Sequence, residues 1–173
     1  MTRDYFALFG LSPAFEIDLS VLEQNYRKLQ SEAHPDRFVS ATPAKKLQSM
    51  QLATLANEAY QVLKKPSSRA KYILALQGID ATQETNTSMP TDFLMQQMEW
   101  RETLEDLKTE KNIAGLETLQ HEMQQSAKSL TDELTLLIDE KNDLIAATET
   151  TRKLIFIDKV CADIIKAIEL LEN

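Results

Sequence analysis

Few residues in this chain are of the types that perform chemistry. There are two histidines, His34 and His121, and one cysteine, Cys161, among 173 residues. A single cysteine cannot close an internal disulfide, and no Cys/His cluster has metal-ligand spacing, so no disulfide framework and no metal site are expected. Carboxylates are plentiful, but none is paired with a base or nucleophile in a catalytic pattern, and no cofactor is implied. The informative constellation is His34-Pro35-Asp36-Arg37. Tyr26-Arg27-Lys28-Leu29 precedes it, and Asn57-Glu58-Ala59-Tyr60-Gln61-Val62-Leu63, Pro66 and Arg69-Ala70-Lys71-Tyr72 follow. Pro35 fixes the backbone, Asp36 is held toward solvent, and Arg27 and Lys28 supply a positive strip. One carboxylate beside a basic strip is a docking device, and no enzymatic activity is expected.

The elements that must position these residues are helical. Asp18 is a suitable N-cap, and Leu19, Leu22, Tyr26, Leu29 and Ala33 recur at helical spacing. His34-Pro35 ends that helix, because the residue before proline is pushed out of the helical region. Asp36–Pro43 is expected as a loop. Ala44–Lys64 is expected as a helix with Leu47, Met50, Leu55, Ala59, Val62 and Leu63 as its apolar positions. Pro66 opens a shorter helix that Gly78 caps, and Asp4–Leu11 allows one or two turns more. No strand pattern competes, so the fold class is all-α.

The chain carries 19 Lys and Arg against 27 Asp and Glu, a formal net charge of −8. The average hides a boundary. Residues 1–78 hold ten basic against seven acidic side chains, and residues 79–173 hold nine against twenty. Three segments are expected: a module over 1–78, a polar Thr-rich linker over 79–90 and a second module over 91–173. The second module is expected as an antiparallel three-helix bundle: Thr91 or Asp92 to about Lys111, about Asn112–Ala147, and about Glu149–Leu171. An acidic chain is a poor general partner for nucleic acid or an anionic membrane, and neither is expected as a partner. No stretch approaches the roughly 20 apolar residues of a membrane span. The opening residues show no apolar signal core, so a reducing cytoplasmic location is expected.

The first module resembles the J-domain of DnaJ-type co-chaperones over about residues 4–76, through the order and spacing of Tyr26–Leu29, His34-Pro35-Asp36 and the Asn57–Leu63 helix. The resemblance implies docking to a DnaK-class chaperone and stimulation of its ATPase. Tyr26, Arg27, Lys28, His34, Pro35, Asp36 and Arg37 are then the chaperone-binding residues, with Asp36 pairing with an arginine of the partner. Glu32-Ala33 stands where many J-domains have Lys-Tyr, Arg37 where Lys is common, and Phe38 where a polar residue is common. These departures point to a specialised chaperone.

In the second module, an advance of about 100° per residue from Phe93 puts Phe93, Trp100, Leu104 and Leu107 within about 40° of one another. Leu94, Met95 and Met98 then lie on the far side, bordered by Glu99, Glu102 and Asp106. An acid-edged apolar patch on a solvent face marks an interaction site, unless it packs on the first module.

Several runs are similar to those of HscB-type J-proteins: Asp4-Tyr5-Phe6-x-Leu8-Phe9-Gly10-Leu11, Phe93-Leu94-Met95-x-Gln97, Arg101-Glu102, and Arg152-Lys153-Leu154-x-Phe156-x-Asp158-Lys159. The resemblance covers essentially the whole chain. It implies a non-enzymatic co-chaperone that binds an iron–sulfur scaffold protein (IscU-like) and delivers it to a specialised chaperone (HscA-like). Leu94, Met95, Met98, Glu99, Glu102, Asp106 and Phe156 are then the scaffold-binding residues. Phe156 also lies about 110° from the centre of the Leu154/Ile157/Cys161/Ile164 stripe, so it need not be core. Asp106 stands where the family has Glu. Eukaryotic relatives often carry an N-terminal Cys-x-x-Cys motif, whose absence favours a bacterial form. A J-protein serving another dedicated client is the alternative, preferred if the Leu94/Met95/Met98 patch is buried.

Overall fold

The structure, a computed structural model, describes residues 4–83 and 89–173. Its regular elements among the described residues are all helical: α1 Tyr5–Leu8, α2 Leu19–Glu32, a 3-10 turn Pro35–Phe38, α3 Pro43–Lys64, α4 Pro66–Leu76, α5 Thr91–Thr109, α6 Ile113–Leu134, a π-turn Thr135–Glu140 and α7 Leu144–Glu172. The chain divides into two compact units, Met1–Ile73 and Leu74–Asn173. Of the expected 79–90 linker, residues 84–88 lie outside the described residues.

In the first unit α2 and α3 form an antiparallel hairpin. Asp18 caps α2 by accepting from the backbone N–H groups of Ser20 and Val21, and the Ser20 hydroxyl adds a third bond at 2.6 Å. These three donors hold the Asp18 carboxyl below its usual range, the Ser20 hydroxyl contributing most. Phe6, Phe9, Leu22, Ala56, Ala59 and Leu63 form the core, with Tyr26, Leu29, Tyr60 and Tyr72 packed on it. Arg69 ties the periphery to that core. Its Nε donates to the Phe15 carbonyl at 2.6 Å and its Nη1 to the Leu63 carbonyl at 2.7 Å. Its guanidinium also lies over the Phe15 ring, 4.8 Å from the centroid.

Three helix ends share one closing geometry. Gly10, Gly78 and Lys111 all take positive φ. In each case the next residue's N–H reaches back five residues: Leu11 to Phe6, Ile79 to Leu74, and Asn112 to Leu107. This is the Schellman pattern. Gly10 and Gly78 adopt it freely, but Lys111 carries a Cβ into the left-handed region at a cost of about 1 kcal/mol. Lys111→Gly is therefore expected to stabilise the bundle by about that amount, which a denaturant titration read by Trp100 fluorescence would register; no shift in midpoint would contradict it.

In the second unit α5, α6 and α7 pack as a three-helix bundle. Trp100, Leu104, Leu116, Leu119, Met123, Ile157, Val160 and Ile164 form its core, with Cys161 and Phe156 partly buried against it. Gly115 lets α5 and α6 approach, since a Cβ there would fall 2.4 Å from a Leu107 methyl.

Some boundaries differ from the sequence reading. The expected Asn112–Ala147 helix breaks at residues 141–143, and α7 starts five residues before Glu149. Asn142 takes φ 50°, and Asp143 caps α7 by accepting from the Ala146 N–H. A left-handed Asn followed by an Asp cap is thus the stop signal that the apolar pattern overran. Leu144 and Ile145 belong to α7, and Ile145 is exposed rather than core. Residue 90, not Thr91 or Asp92, holds the N-cap position of α5, and no side chain caps it. Leu19, Leu47 and Met50, expected among the apolar stripes, are exposed.

Candidate functional site

The His34-Pro35-Asp36 turn stands where the α2–α3 hairpin reverses. Pro35 starts the 3-10 turn, and His34 is its N-cap, with Nδ1 accepting the Asp36 backbone N–H at 3.2 Å. The turn is fixed by backbone geometry and by the imidazole, so the Asp36 carboxylate need not support it. That carboxylate is 88% exposed, and its Oδ2 lies 3.5 Å from His34 Nδ1. Beneath the turn, the buried Ser49 hydroxyl donates to the Ala33 carbonyl at 2.6 Å and pins the end of α2 to α3.

The residues on the α2 side divide by role. Tyr26 is chiefly structural: it stacks on Tyr60 with centroids 4.0 Å apart, meets Phe9 edge-on, and donates its hydroxyl to Asn57. Gln30 Nε2 joins the same group at 2.6 Å from the Tyr26 hydroxyl. Arg27 is exposed and paired with Glu23 at 2.7 Å, one helical turn back. Such an exposed pair is worth about 0.3–0.5 kcal/mol and yields readily to a partner's carboxylate. Lys28 and Arg37 are exposed. Arg27, Gln30, His34, Pro35, Ala53 and Asn57 line one shallow recess. Ser49 and Gln30 were missed by sequence reasoning, since polar positions inside a helix carry no signal until the facing helix is known.

On the bundle, α5 turns its outer face to solvent. Leu94, Met95 and Met98 are 45%, 60% and 72% exposed. Glu99, Glu102 and Asp106 are also exposed. The acid-edged apolar patch is therefore accessible.

Phe156 is placed differently from the sequence reading. It is half-buried, stacked on Trp100 at 6.3 Å and edge-on to Phe93 at 6.0 Å. The Arg101 guanidinium lies 5.5 Å from its ring centre while donating to Asp163 at 2.7 Å. A position at the edge of the α7 stripe is free only if no neighbouring helix reaches it, and α5 does. Trp100 is core, as expected, and its indole N–H donates to Glu122 at 3.2 Å. His121 is exposed, with Nε2 3.0 Å from the Gln125 amide. No helix among the described residues is long and apolar enough to cross a membrane.

A helical hairpin presenting a His-Pro-Asp turn, with a separate three-helix bundle bearing an exposed apolar face, defines a J-domain co-chaperone with a C-terminal bundle. Solved structures agree with that class. The chain is similar to the chaperone HscB from Vibrio cholerae, with TM-score 0.84 and 35% identity over 98% of this chain and 99% of that one. It is also similar to the human co-chaperone HscB, with TM-score 0.85 and 31% identity over 94% and 81% of the two chains. A family model described as the HSCB C-terminal oligomerisation domain matches residues 89–165. Among curated relatives, an HscB homologue of Azoarcus sp. (strain BH72) is 44% identical over 100% of this chain and 98% of its own length. One of Paraburkholderia phymatum is 46% identical with the same coverage. The chain belongs to the HscB family of co-chaperones.

Proposed function

We propose that this co-chaperone binds an IscU-like iron–sulfur scaffold protein on its bundle and delivers it to an HscA-like chaperone of the DnaK class, whose ATPase it stimulates. Cluster transfer from the scaffold to recipient proteins is the outcome. Residues 1–78 form the chaperone-facing module, 79–90 the connection and 91–173 the scaffold-facing module, and the site of action is the bacterial cytoplasm. The observation that carries the reading is the accessible Leu94/Met95/Met98 patch with its acidic border on a chain whose other unit presents an exposed Asp36. Asp36, Arg27, Lys28 and Arg37 meet the chaperone, while His34 and Pro35 set the turn and Tyr26 supports it from within. Leu94, Met95 and Met98 supply apolar contact to the scaffold; Glu99, Glu102 and Asp106 select a basic rim. Phe156 contributes its remaining open edge and braces Phe93 and Trp100.

Calorimetric titration of the scaffold into a Leu94→Ala/Met98→Ala variant tests the reading. Truncating two exposed anchors at a contact centre is expected to weaken binding at least tenfold, on the order of 1.4 kcal/mol or more, with an unchanged melting temperature. Unaltered affinity would refute the patch as the scaffold site. Phe156→Ala is expected to lower affinity and stability together, because it empties an aromatic contact in a half-buried position.

A further inference from the structure

Ser49, Ala56 and Leu63 follow one another at intervals of seven residues and so form one row along α3. Ala56 and Leu63 belong to the core of the first unit. Ser49 is 5% exposed but polar. An apolar side chain is the default in such a row, so a buried hydroxyl needs an account. Its own helix does not give one. A hydroxyl inside a helix commonly bonds the carbonyl one turn back, as Thr54 does to Met50 at 2.9 Å. Ser49 instead donates across to the Ala33 carbonyl of the neighbouring helix at 2.6 Å.

The account lies where α2 ends. In a continuing helix the Ala33 carbonyl would accept the N–H of residue 37. The Arg37 N–H bonds the His34 carbonyl instead, at 3.0 Å, and closes the 3-10 turn. Pro35 has no N–H to offer, and His34 before it is extended, with φ −64° and ψ 136°. Ala33 is buried, so Ser49 supplies the donor that the helix end lacks. Without that donor a buried carbonyl stays unpaired at a cost or swings outward. His34 shares the Ala33 peptide plane and would swing with it. Asn57, on the order of 12 Å further along α3, accepts from the Gln30 amide at 3.1 Å and from the Tyr26 hydroxyl. Two polar pins therefore fix α2 against α3, and Ser49 is the one at the turn.

We propose that Ser49 is a positioning residue for chaperone stimulation. Through the Ala33 carbonyl it holds His34-Pro35-Asp36 in the docking orientation before the partner arrives. Being buried, it touches no partner; it raises the fraction of molecules whose turn is competent to dock. The proposal rests on the reading of the Asp36 turn as the chaperone site.

The test compares full-length Ser49→Ala and Ser49→Thr with the parent, well below the melting temperature of each. Stimulated ATPase of the chaperone is measured against co-chaperone concentration. Ser49→Ala is expected to raise the half-maximal concentration about threefold, equivalent to about 0.65 kcal/mol. Maximal stimulation is expected to stay at the parent level, because saturating partner selects the competent turn. Ser49→Thr keeps the hydroxyl and is expected to match the parent. A merely structural Ser49 would lower the melting temperature of Ser49→Ala and leave its half-maximal concentration unchanged. That result, with Asp36→Asn inactive in the same assay, overturns the proposal and leaves the chaperone site standing. An equal rise in Ser49→Thr would trace the effect to packing rather than to the hydroxyl, and also overturns it. If Asp36→Asn is fully active, the chaperone site itself is misassigned.

Discussion

Asp36→Asn is expected to abolish stimulation of the partner chaperone's ATPase while leaving circular dichroism, melting temperature and scaffold binding unchanged. The imidazole of His34 caps the turn through the Asp36 backbone N–H, which the substitution keeps. The side chain is 88% exposed, so replacing its charge by an amide disturbs no packing. In the complex the same side chain would meet an arginine from which water has been excluded. Removing one charge from such a pair costs about 2–5 kcal/mol, which weakens productive docking about thirtyfold or more. Steady-state ATPase with excess variant reads this directly, and near-parental stimulation would remove Asp36 from the docking account.

Arg69→Ala is expected to destabilise the first unit strongly while leaving the bundle intact. Its guanidinium donates to the carbonyls of Phe15 and Leu63 and covers the Phe15 ring. A hydrogen bond from a charged donor is worth about 1.5–3 kcal/mol, so losing two, with the carbonyls left buried, costs on the order of 3–6 kcal/mol. That is a large share of the 5–15 kcal/mol that holds a typical domain together. The consequence is separable because the chromophores are segregated: all four tyrosines, Tyr5, Tyr26, Tyr60 and Tyr72, lie before residue 74, and the one tryptophan, Trp100, lies after it. The tyrosine-reported melting temperature is expected to fall by about 10 °C or more, with the Trp100 signal reporting the bundle separately. A tyrosine transition within a degree or two of the parent's would show that Arg69 is peripheral.

Much of the fold was legible because single-helix patterns carry it. Asp18, Pro43, Pro66 and Gly78 mark helix ends by local chemistry that needs no tertiary knowledge. The α5 stripe put Trp100 and Leu104 in the core, and its remainder put Leu94, Met95 and Met98 outside. What a single helix cannot disclose is its neighbour. Phe156 sits at a stripe edge that α5 covers, and Leu47 and Met50 sit on a helix that extends beyond its core. Tyr26 belongs to a basic run by sequence and to an aromatic stack by structure. Arg69 reads as one more cation until Phe15 and Leu63 converge on it. The break at Asn142-Asp143 was written in the sequence, but a strong apolar period outweighed two polar residues whose meaning depends on φ.

The most direct test of two faces acting for two partners is single-turnover ATP hydrolysis by the chaperone with co-chaperone present, with and without scaffold. The parent protein is expected to stimulate hydrolysis alone and further when scaffold is added. Leu94→Ala/Met98→Ala should keep the first effect and lose the increment due to the co-chaperone-bound scaffold, whereas Asp36→Asn should lose both. A full scaffold-dependent increment in the patch variant, or retained stimulation by Asp36→Asn, would contradict the assignment of one face to each partner.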